Sequence, residues 1–235
     1  MELTFASYNI HKAVGLDGRR DPDRILAILR EIDADVIVLQ ETDRRFGRRE
    51  AVLPPRLIAA QTPWHLVPLA MTADGIGWHG NSMLVKQGIE VVSAEPVPLP
   101  AIEPRGAIAA ELRVRGRRLR VVGMHLDLSG LRRRRQLRAV LAHLAGCPQA
   151  APAVLMGDFN EWATRAGALR EFGGGWHVLA PGRSYPAPRP IAQLDRIVAS
   201  AEWRILHAGV HRSLLAARGS DHLPVFARLA LRPGD

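Results

Sequence analysis

Asp158 and Asn160 stand two positions apart in Gly157-Asp158-Phe159-Asn160, directly after an apolar run from Ala151 to Met156 that reads as a buried strand. At that spacing a carboxylate and a carboxamide leave the strand on one side. The carboxylate can orient or deprotonate water, and the carboxamide can donate to an oxyanion. The same residue types also make turns, so the tetrapeptide alone does not decide. Its surroundings do. Asn9, Glu41, His125 with Asp127, Asp195 and Ser220-Asp221-His222 occupy the same kind of place, at the ends of apolar runs. Turn chemistry does not account for that repetition.

The elements that must carry these residues can be read in order. Leu3 to Tyr8 reads as a strand delivering Asn9-Ile10-His11-Lys12. Asp21-Pro22 starts a helix as cap and first helical residue, and Ile25, Ile28, Leu29 and Ile32 follow at helical spacing. Asp35 to Leu39 is a short apolar strand ending in Gln40-Glu41. Strand, helix and strand with short links make a βαβ unit with parallel strands, so Asn9 and Glu41 should share one end. Further strands are expected at 64–69, 81–85, 89–97, 107–114, 119–125, 194–200, 204–210 and 222–231. Helices are expected within 50–61 and over 131–144, with Ser129 as cap of the latter, and Glu161-Trp162-Ala163-Thr164 reads as a helix start. Many strands with few helices indicate a mixed α/β layer architecture. With no long linker rich in Pro, Gly or Ser, residues 1–235 read as a single domain.

Composition narrows the partners. The chain has 235 residues, 47% of them apolar, enough for a sizeable core. It carries 32 basic against 23 acidic residues, for a net charge of +9, and only Lys12 and Lys86 are lysines. Such a field attracts anions: nucleic acid, lipid head groups or phosphate esters. Cys147 is the only cysteine, which excludes an internal disulfide and a cysteine-based zinc site. No run approaches the length of a membrane span and the chain begins directly as a strand, so the expectation is a soluble, cytoplasmic protein without stable membrane insertion.

Six pieces in order carry a resemblance over nearly the whole chain: Tyr8-Asn9-Ile10, Leu39-Gln40-Glu41, Met124-His125-Leu126, Gly157-Asp158-Phe159-Asn160, Leu194-Asp195-Arg196-Ile197 and Ser220-Asp221-His222-Leu223-Pro224. The sequence resembles the endonuclease/exonuclease/phosphatase superfamily of DNase I-like phosphoesterases. That resemblance implies a four-layer α/β sandwich, two mixed β-sheets face to face with helices outside. It also implies roles. Glu41 and Asn9, hard oxygen ligands suited to Mg²⁺ or Mn²⁺, match the family's metal pair, with Asp221 near the metal. Asp195 would hold the tautomer of His222; the bland alternative is that it merely pairs with Arg196. His125 matches the histidine that serves the phosphate or leaving group, although no acidic partner for it is evident. Arg105 resembles an arginine that reaches substrate phosphate, for which its fork is suited.

Two further phosphate contacts are expected. His11 follows Asn9 closely, as does Lys12. The run Arg132 to Arg135 sweeps about 300° of a helix, so at least one member must point inward, and Arg133 is the choice. Asp158, Asn160, Asp195, His222 and His125 thus form the expected catalytic set for metal-assisted phosphoester hydrolysis, with Asp158 and His222 both candidates for the base. Charge favours nucleic acid as substrate. A lipid head group or small phosphate ester is the alternative, favoured by a short chain and by an aromatic content of 5% that offers few stacking platforms. A non-catalytic binding protein would have lost members of the polar set, and none is missing. A serine hydrolase would want a Gly-x-Ser-x-Gly elbow, which is absent.

Overall fold

The central strands are nearly continuous apolar runs, so each can serve a core on both faces. The computed structural model describes residues 1–44, 48–69, 74–100, 105–164 and 166–232. It holds two mixed six-stranded sheets. The first runs β11 (Trp203–Val210), β12 (Val225–Leu231), β1 (Glu2–Asn9), β2 (Val36–Gln40), β4 (Ser82–Lys86) and β3 (Trp64–Leu66). The second runs β5 (Glu90–Val97), β6 (Gly106–Val114), β7 (Arg117–His125), β8 (Ala153–Asp158), β10 (Asp195–Ser200) and β9 (Trp176–Leu179). Among the described strands only β1–β2 and β7–β8 pair in parallel. Each pair is joined across a helix, α1 (Pro22–Ile32) or α3 (Gly130–Ala145).

Three apolar clusters define four layers. Phe5, Val38, Val121, Met156 and Ile197 meet between the sheets. Ala6, Tyr8 and Leu39, on the opposite face of the first sheet, pack on Ile25 and Ile28 of α1. Val122, Met124 and Leu155 do the same for the second sheet against Leu137 and Val140 of α3. The architecture is helix, sheet, sheet, helix, as the resemblance implied. Helix α1 begins as expected, with Asp21 Oδ1 accepting from Arg24 N at 3.0 Å.

The alternation of side chains between the two faces of each strand also aims the polar residues. Continuing each inward face to its strand end passes from Phe5 to Asn9, from Val121 to His125, from Met156 to Asp158, and from Ile197 to Asp195. Strand register brings them level: His125 and Asp195 both lie opposite Asp158, and Asn9 lies opposite Gln40, one residue before Glu41. The two sheets approach closely here. A Cβ on Gly123 would sit 2.5 Å from Val38 Cγ1 across the core, and one on Gly157 would sit 1.8 Å from the Met124 carbonyl. Glycine at both positions lets β7, β8 and β2 close up beside the polar ends.

Several boundaries differ from the sequence reading. The helix expected from Glu161 does not form. Arg196 donates to the carbonyls of Glu161 and Ala163, and the Glu161 carboxylate accepts from Ala163 N and Ala168 N, so side chains take the groups a helix would use. The last strand starts at Val225 rather than His222, since Pro224 has no N–H for a ladder. Ser129 precedes α3 but makes no side-chain cap; Asp127 Oδ1 accepts from Ser129 N at 2.8 Å instead. Strand β9 follows three glycines and was not anticipated. No helix among the described residues is long and apolar enough to cross a membrane.

The close approach at Gly123 predicts a specific coupling. Gly123→Ala should destabilise by about 1–3 kcal/mol through overpacking, and Val38→Ala in the same chain should return part of that loss. Chemical denaturation of both single variants and the double variant checks it; strictly additive losses would show that the two positions do not compete for space.

Candidate active site

Asp158 is the point on which the polar residues converge. It is 2% exposed. Its Oδ2 accepts from Asn9 Nδ2 at 3.1 Å and lies 3.3 Å from His125 Nε2 and 3.7 Å from His222 Nε2. Its Oδ1 accepts from Asn160 N at 2.9 Å. Groups from both sheets thus meet at one carboxylate. Asn160, in a left-handed conformation with φ of 50°, also donates through Nδ2 to the Leu126 carbonyl at 2.8 Å, which fixes the carboxamide beside Asp158.

His222 and Asp195 form a buried pair. His222 Nδ1 lies 2.9 Å from Asp195 Oδ2, and the same oxygen accepts from Ser184 Oγ at 2.5 Å. The hydroxyl hydrogen serves Asp195, so Nδ1 carries the ring proton and Nε2 is turned towards Asp158. Burial pushes the ring's pKa down, but the carboxylates of Asp195 and Asp158 outweigh it and raise it to about 10. The ring is an imidazolium at neutral pH. Tyr185 packs against it with ring centroids 4.8 Å apart, so the proline-rich loop 184–190, with Pro186, Pro188 and Pro190, backs this pair. Arg196 donates to the Asp195 main-chain carbonyl and to the 161–163 segment. The Asp195 carboxylate therefore serves His222, and the bland alternative of a simple Asp195–Arg196 ion pair does not hold.

His125 is held in the opposite state. Burial lowers its pKa to about 4 against the pull of Asp158, and Arg105 adds to the lowering. Arg105 Nη1 contacts His125 Nε2; a guanidinium only donates, so Nε2 is the acceptor. The contact with Asp158 is then no ion pair at neutral pH. His125 finds its acidic neighbour in Asp158, yet as a neutral ring.

Glu41 opens onto an adjoining cleft lined by Lys12, Glu41, Asp43, Arg49, His79, Gly80, Arg105 and His125. Three consecutive left-handed residues, His11, Lys12 and Ala13, with φ of 46°, 58° and 59°, fold the chain back after β1. Lys12 N donates to the Glu41 carbonyl at 3.2 Å and Lys12 Nζ pairs with Glu41 Oε2. Burial raises the Glu41 carboxyl, but His125, in its protonated form at acid pH, and Lys12, by hydrogen bond and charge, outweigh it and hold it below the usual range. Its side chain is 24% exposed.

Other expected residues sit differently. Arg133 does point inward, as the helical sweep requires, but its guanidinium donates to the Leu128 carbonyl at 2.7 Å and pairs with Glu161 at 3.3 Å. Its donors hold two loops together, and it is not among the residues lining the cleft. His11 Nδ1 is directed at the Val14 carbonyl at 3.2 Å, and its main-chain N donates to Asn9 Oδ1 at 3.1 Å. It acts on the turn rather than lining the cleft. Asp221 is bonded to Ser220 Oγ at 3.3 Å, and its charge raises the pKa of Tyr8 and His222. Ser184, Asp43 and Arg49 were not singled out from sequence. Ser184 could have been noticed as the hydroxyl opening the proline-rich loop; Asp43 and Arg49 carry no local signal.

Asp158, Asp195 and His222 form a group whose ligand atoms all lie within 4.8 Å, close enough to hold a metal ion. Two of these atoms are committed, because Asp195 Oδ2 and His222 Nδ1 bond to each other. Asp195 Oδ1 is buried without a partner. Glu41 differs: its partner is a lysine ammonium on a flexible stem, so a cation already suits that position. Asn9 Oδ1 accepts one main-chain N–H and keeps a second lone pair. This all-oxygen pair fits a hard divalent cation.

The fold and the ordered motifs define a metal-type phosphoesterase scaffold, and the comparisons agree. The chain belongs to the Endonuclease/Exonuclease/phosphatase family, whose model matches residues 6–222. It is 27% identical to the uncharacterized protein YbhP of Escherichia coli K12, over 95% of this chain and 94% of YbhP. Its fold is similar to that of D. rerio TDP2 complexed with a single-strand DNA product, with a TM-score of 0.75, 16% identity, and 97% and 99% of the two chains covered. It is similar also to the mannosyl-6-phosphatase Bt3783 of Bacteroides thetaiotaomicron, with a TM-score of 0.75, 19% identity, and 97% and 100% covered.

The raised pKa of His222 predicts a pH dependence of stability. A histidine raised above its unfolded value contributes stability that is full below about pH 6.5 and is lost as pH rises through about 10. In chelator, the stability of the unaltered protein minus that of His222→Gln should therefore be greatest near pH 6 and shrink towards pH 10. Denaturant titrations across that range check it. A difference independent of pH would mean that the ring is not held protonated.

Proposed function

We propose that this chain hydrolyses phosphoester bonds with the aid of a divalent cation, Mg²⁺ or Mn²⁺, held by Glu41 and Asn9. The observation that carries the reading is the convergence of Asn9, His125, His222 and Asn160 on Asp158, beside the Glu41 cleft. When bound, the cation would polarise a phosphoryl oxygen and offset the charge that develops on it. Asp158 is the base. Its Oδ2 accepts from Asn9, which fixes the carboxylate, and it orients an attacking water and takes its proton. His222, an imidazolium, cannot act as base; its Nε2–H donates to the phosphoryl oxygens or to the leaving oxygen. Asp195 and Ser184 hold its ring in that tautomer. Neutral His125 and Arg105 line the approach, and the guanidinium fork suits a phosphate oxygen pair. Asp221 remains the third candidate ligand for the cation, and its charge adds to those that raise the His222 pKa.

Nucleic acid is the substrate that net charge favours, and the likeness to a TDP2 structure holding a DNA product supports it. A specific observation favours a second reading, a small or terminal phosphate ester. In the helical run counted towards a nucleic-acid surface, Arg132 faces Asp127, Arg133 pairs with Glu161 and Arg134 with Glu171. The likeness to a mannosyl-6-phosphatase points the same way.

Hydrolysis of bis(p-nitrophenyl) phosphate should require Mg²⁺ or Mn²⁺ and vanish in excess chelator. Glu41→Gln should weaken Mn²⁺ binding, read by electron paramagnetic resonance, by at least about tenfold, as loss of a charged ligand implies. Full turnover in chelator would sink the metal-assisted mechanism, and an unchanged Mn²⁺ titration would remove Glu41 from the ligand set.

A further inference from the structure

The cleft does not end at Glu41 and His125. It continues to Arg49, His79 and Asp43, which no step above uses. Arg49 rides on the hairpin that follows β2. Asp43 bridges Ala51, Arg44 N donates to the Glu50 carbonyl at 2.9 Å, and Val52 N donates to the Thr42 carbonyl at 2.9 Å. The hairpin is tied to the 74–80 segment by Ala51 N to the Asp74 carbonyl and by Thr42 N to the Gly80 carbonyl.

Both Arg49 and His79 are left-handed, with φ of 50° and 47°, a conformation L-residues adopt sparingly. Arg49 Nη1 lies 3.0 Å from His79 Nδ1. The guanidinium must be the donor, so Nδ1 accepts and Nε2 carries the hydrogen. Burial and the Arg49 charge both lower the His79 pKa, which keeps the ring in that neutral form. Trp78 backs it, with ring centroids 4.1 Å apart. Among the described residues no carboxylate lies within ion-pair distance of Arg49, whereas Arg24, Arg113, Arg118 and Arg138 each hold one. A half-buried guanidinium braced by a histidine and turned into a cleft is suited to an incoming anion.

The donors set what that anion is. Arg49 and the His79 Nε2–H offer several N–H groups at this end of the cleft, with Lys12 and Arg105 also in its lining. A phosphomonoester, with three terminal oxygens and about two negative charges at neutral pH, uses such a set more fully than a phosphodiester does. We propose that Arg49 and His79 form a second anion subsite, which binds a phosphomonoester carried by the substrate beside the ester that is cut. Arg49 grips two phosphate oxygens and His79 Nε2–H donates to a third. The inference rests on the phosphoester reading above and sharpens it. The preferred substrate carries two phosphates, as a phosphorylated nucleic-acid end or a small bisphosphate does.

Two substrate pairs separate those sources, each assayed with Mg²⁺: a thymidine dinucleotide with and without a 5′-phosphate, and propane-1,3-diol bisphosphate beside its monophosphate. In one arm the doubly phosphorylated member should be favoured in kcat/KM by about tenfold or more, the size expected of a charge-assisted contact. In Arg49→Gln that ratio should fall towards one. Calorimetry on Mn²⁺-loaded Asp158→Asn protein reads binding without turnover, and there too the added phosphate should tighten binding in an Arg49-dependent way. Such tightening without turnover of any substrate by the unaltered protein would uphold the subsite and overturn the hydrolytic reading. Turnover with equal kcat/KM for both members of both pairs, or a ratio indifferent to Arg49→Gln, would overturn the subsite and leave hydrolysis standing.

Discussion

A carboxylate buried where two sheets meet is costly unless its oxygens are matched by donors. Asp158 is such a group, and much of the surrounding structure answers to it. Asn9 donates to it from the first sheet, Asn160 N from the loop that follows β8, and His222 faces it from the segment leading to the last strand, while neutral His125 lies alongside. Its position is maintained by glycine. Gly157 keeps β8 against β7, and Gly123 lets β7 approach β2 across the core. The donors that stabilise the buried charge are thus also the groups that can act on a phosphate beside it.

The two histidines show how neighbours rather than residue type set a protonation state. Both are buried, and burial alone lowers both. His222 has Asp195 bonded to Nδ1 and becomes an imidazolium. His125 has Arg105 against Nε2 and stays neutral. One carboxylate therefore faces a permanent cationic donor and a neutral ring, which separates the roles of two identical side chains.

Backbone strain follows the same geography. Of the non-glycine residues with positive φ, Asp33 ends a helix and Arg115 turns a hairpin. His11, Lys12, Ala13, Glu41, Arg49, His79 and Asn160 all lie on the segments that form the site and its cleft. Left-handed residues at loop starts turn side chains back over the strand ends, and the dense hydrogen bonding of these loops maintains the arrangement. The arginines divide likewise. Arg118, Arg133 and Arg134 are each paired with a glutamate, whereas Arg49 and Arg105 line the cleft.

The architecture and the polar residues at the strand ends were legible from sequence because both depend on local pattern. Short apolar runs marked the strands, and the polar residues at their ends were Asn9, Glu41, His125, Asp158, Asp195 and His222. The short βαβ connection put Asn9 and Glu41 at one end, and the parallel β1–β2 register has them there. Even the sweep of four arginines identified Arg133 as the one turned inward. What Arg133 touches was not legible, because Glu161 lies 28 residues away and became available only when its expected helix gave way to Arg196. Ser184, Arg49 and Asp43 were invisible for the same reason: a lone hydroxyl, arginine or aspartate has no spacing to mark it. Protonation was decided last of all, since it depends on charges brought together from both sheets. Sequence pattern determines which residues stand at strand ends, whereas only the packed sheets determine which of them face one another and in what charge state.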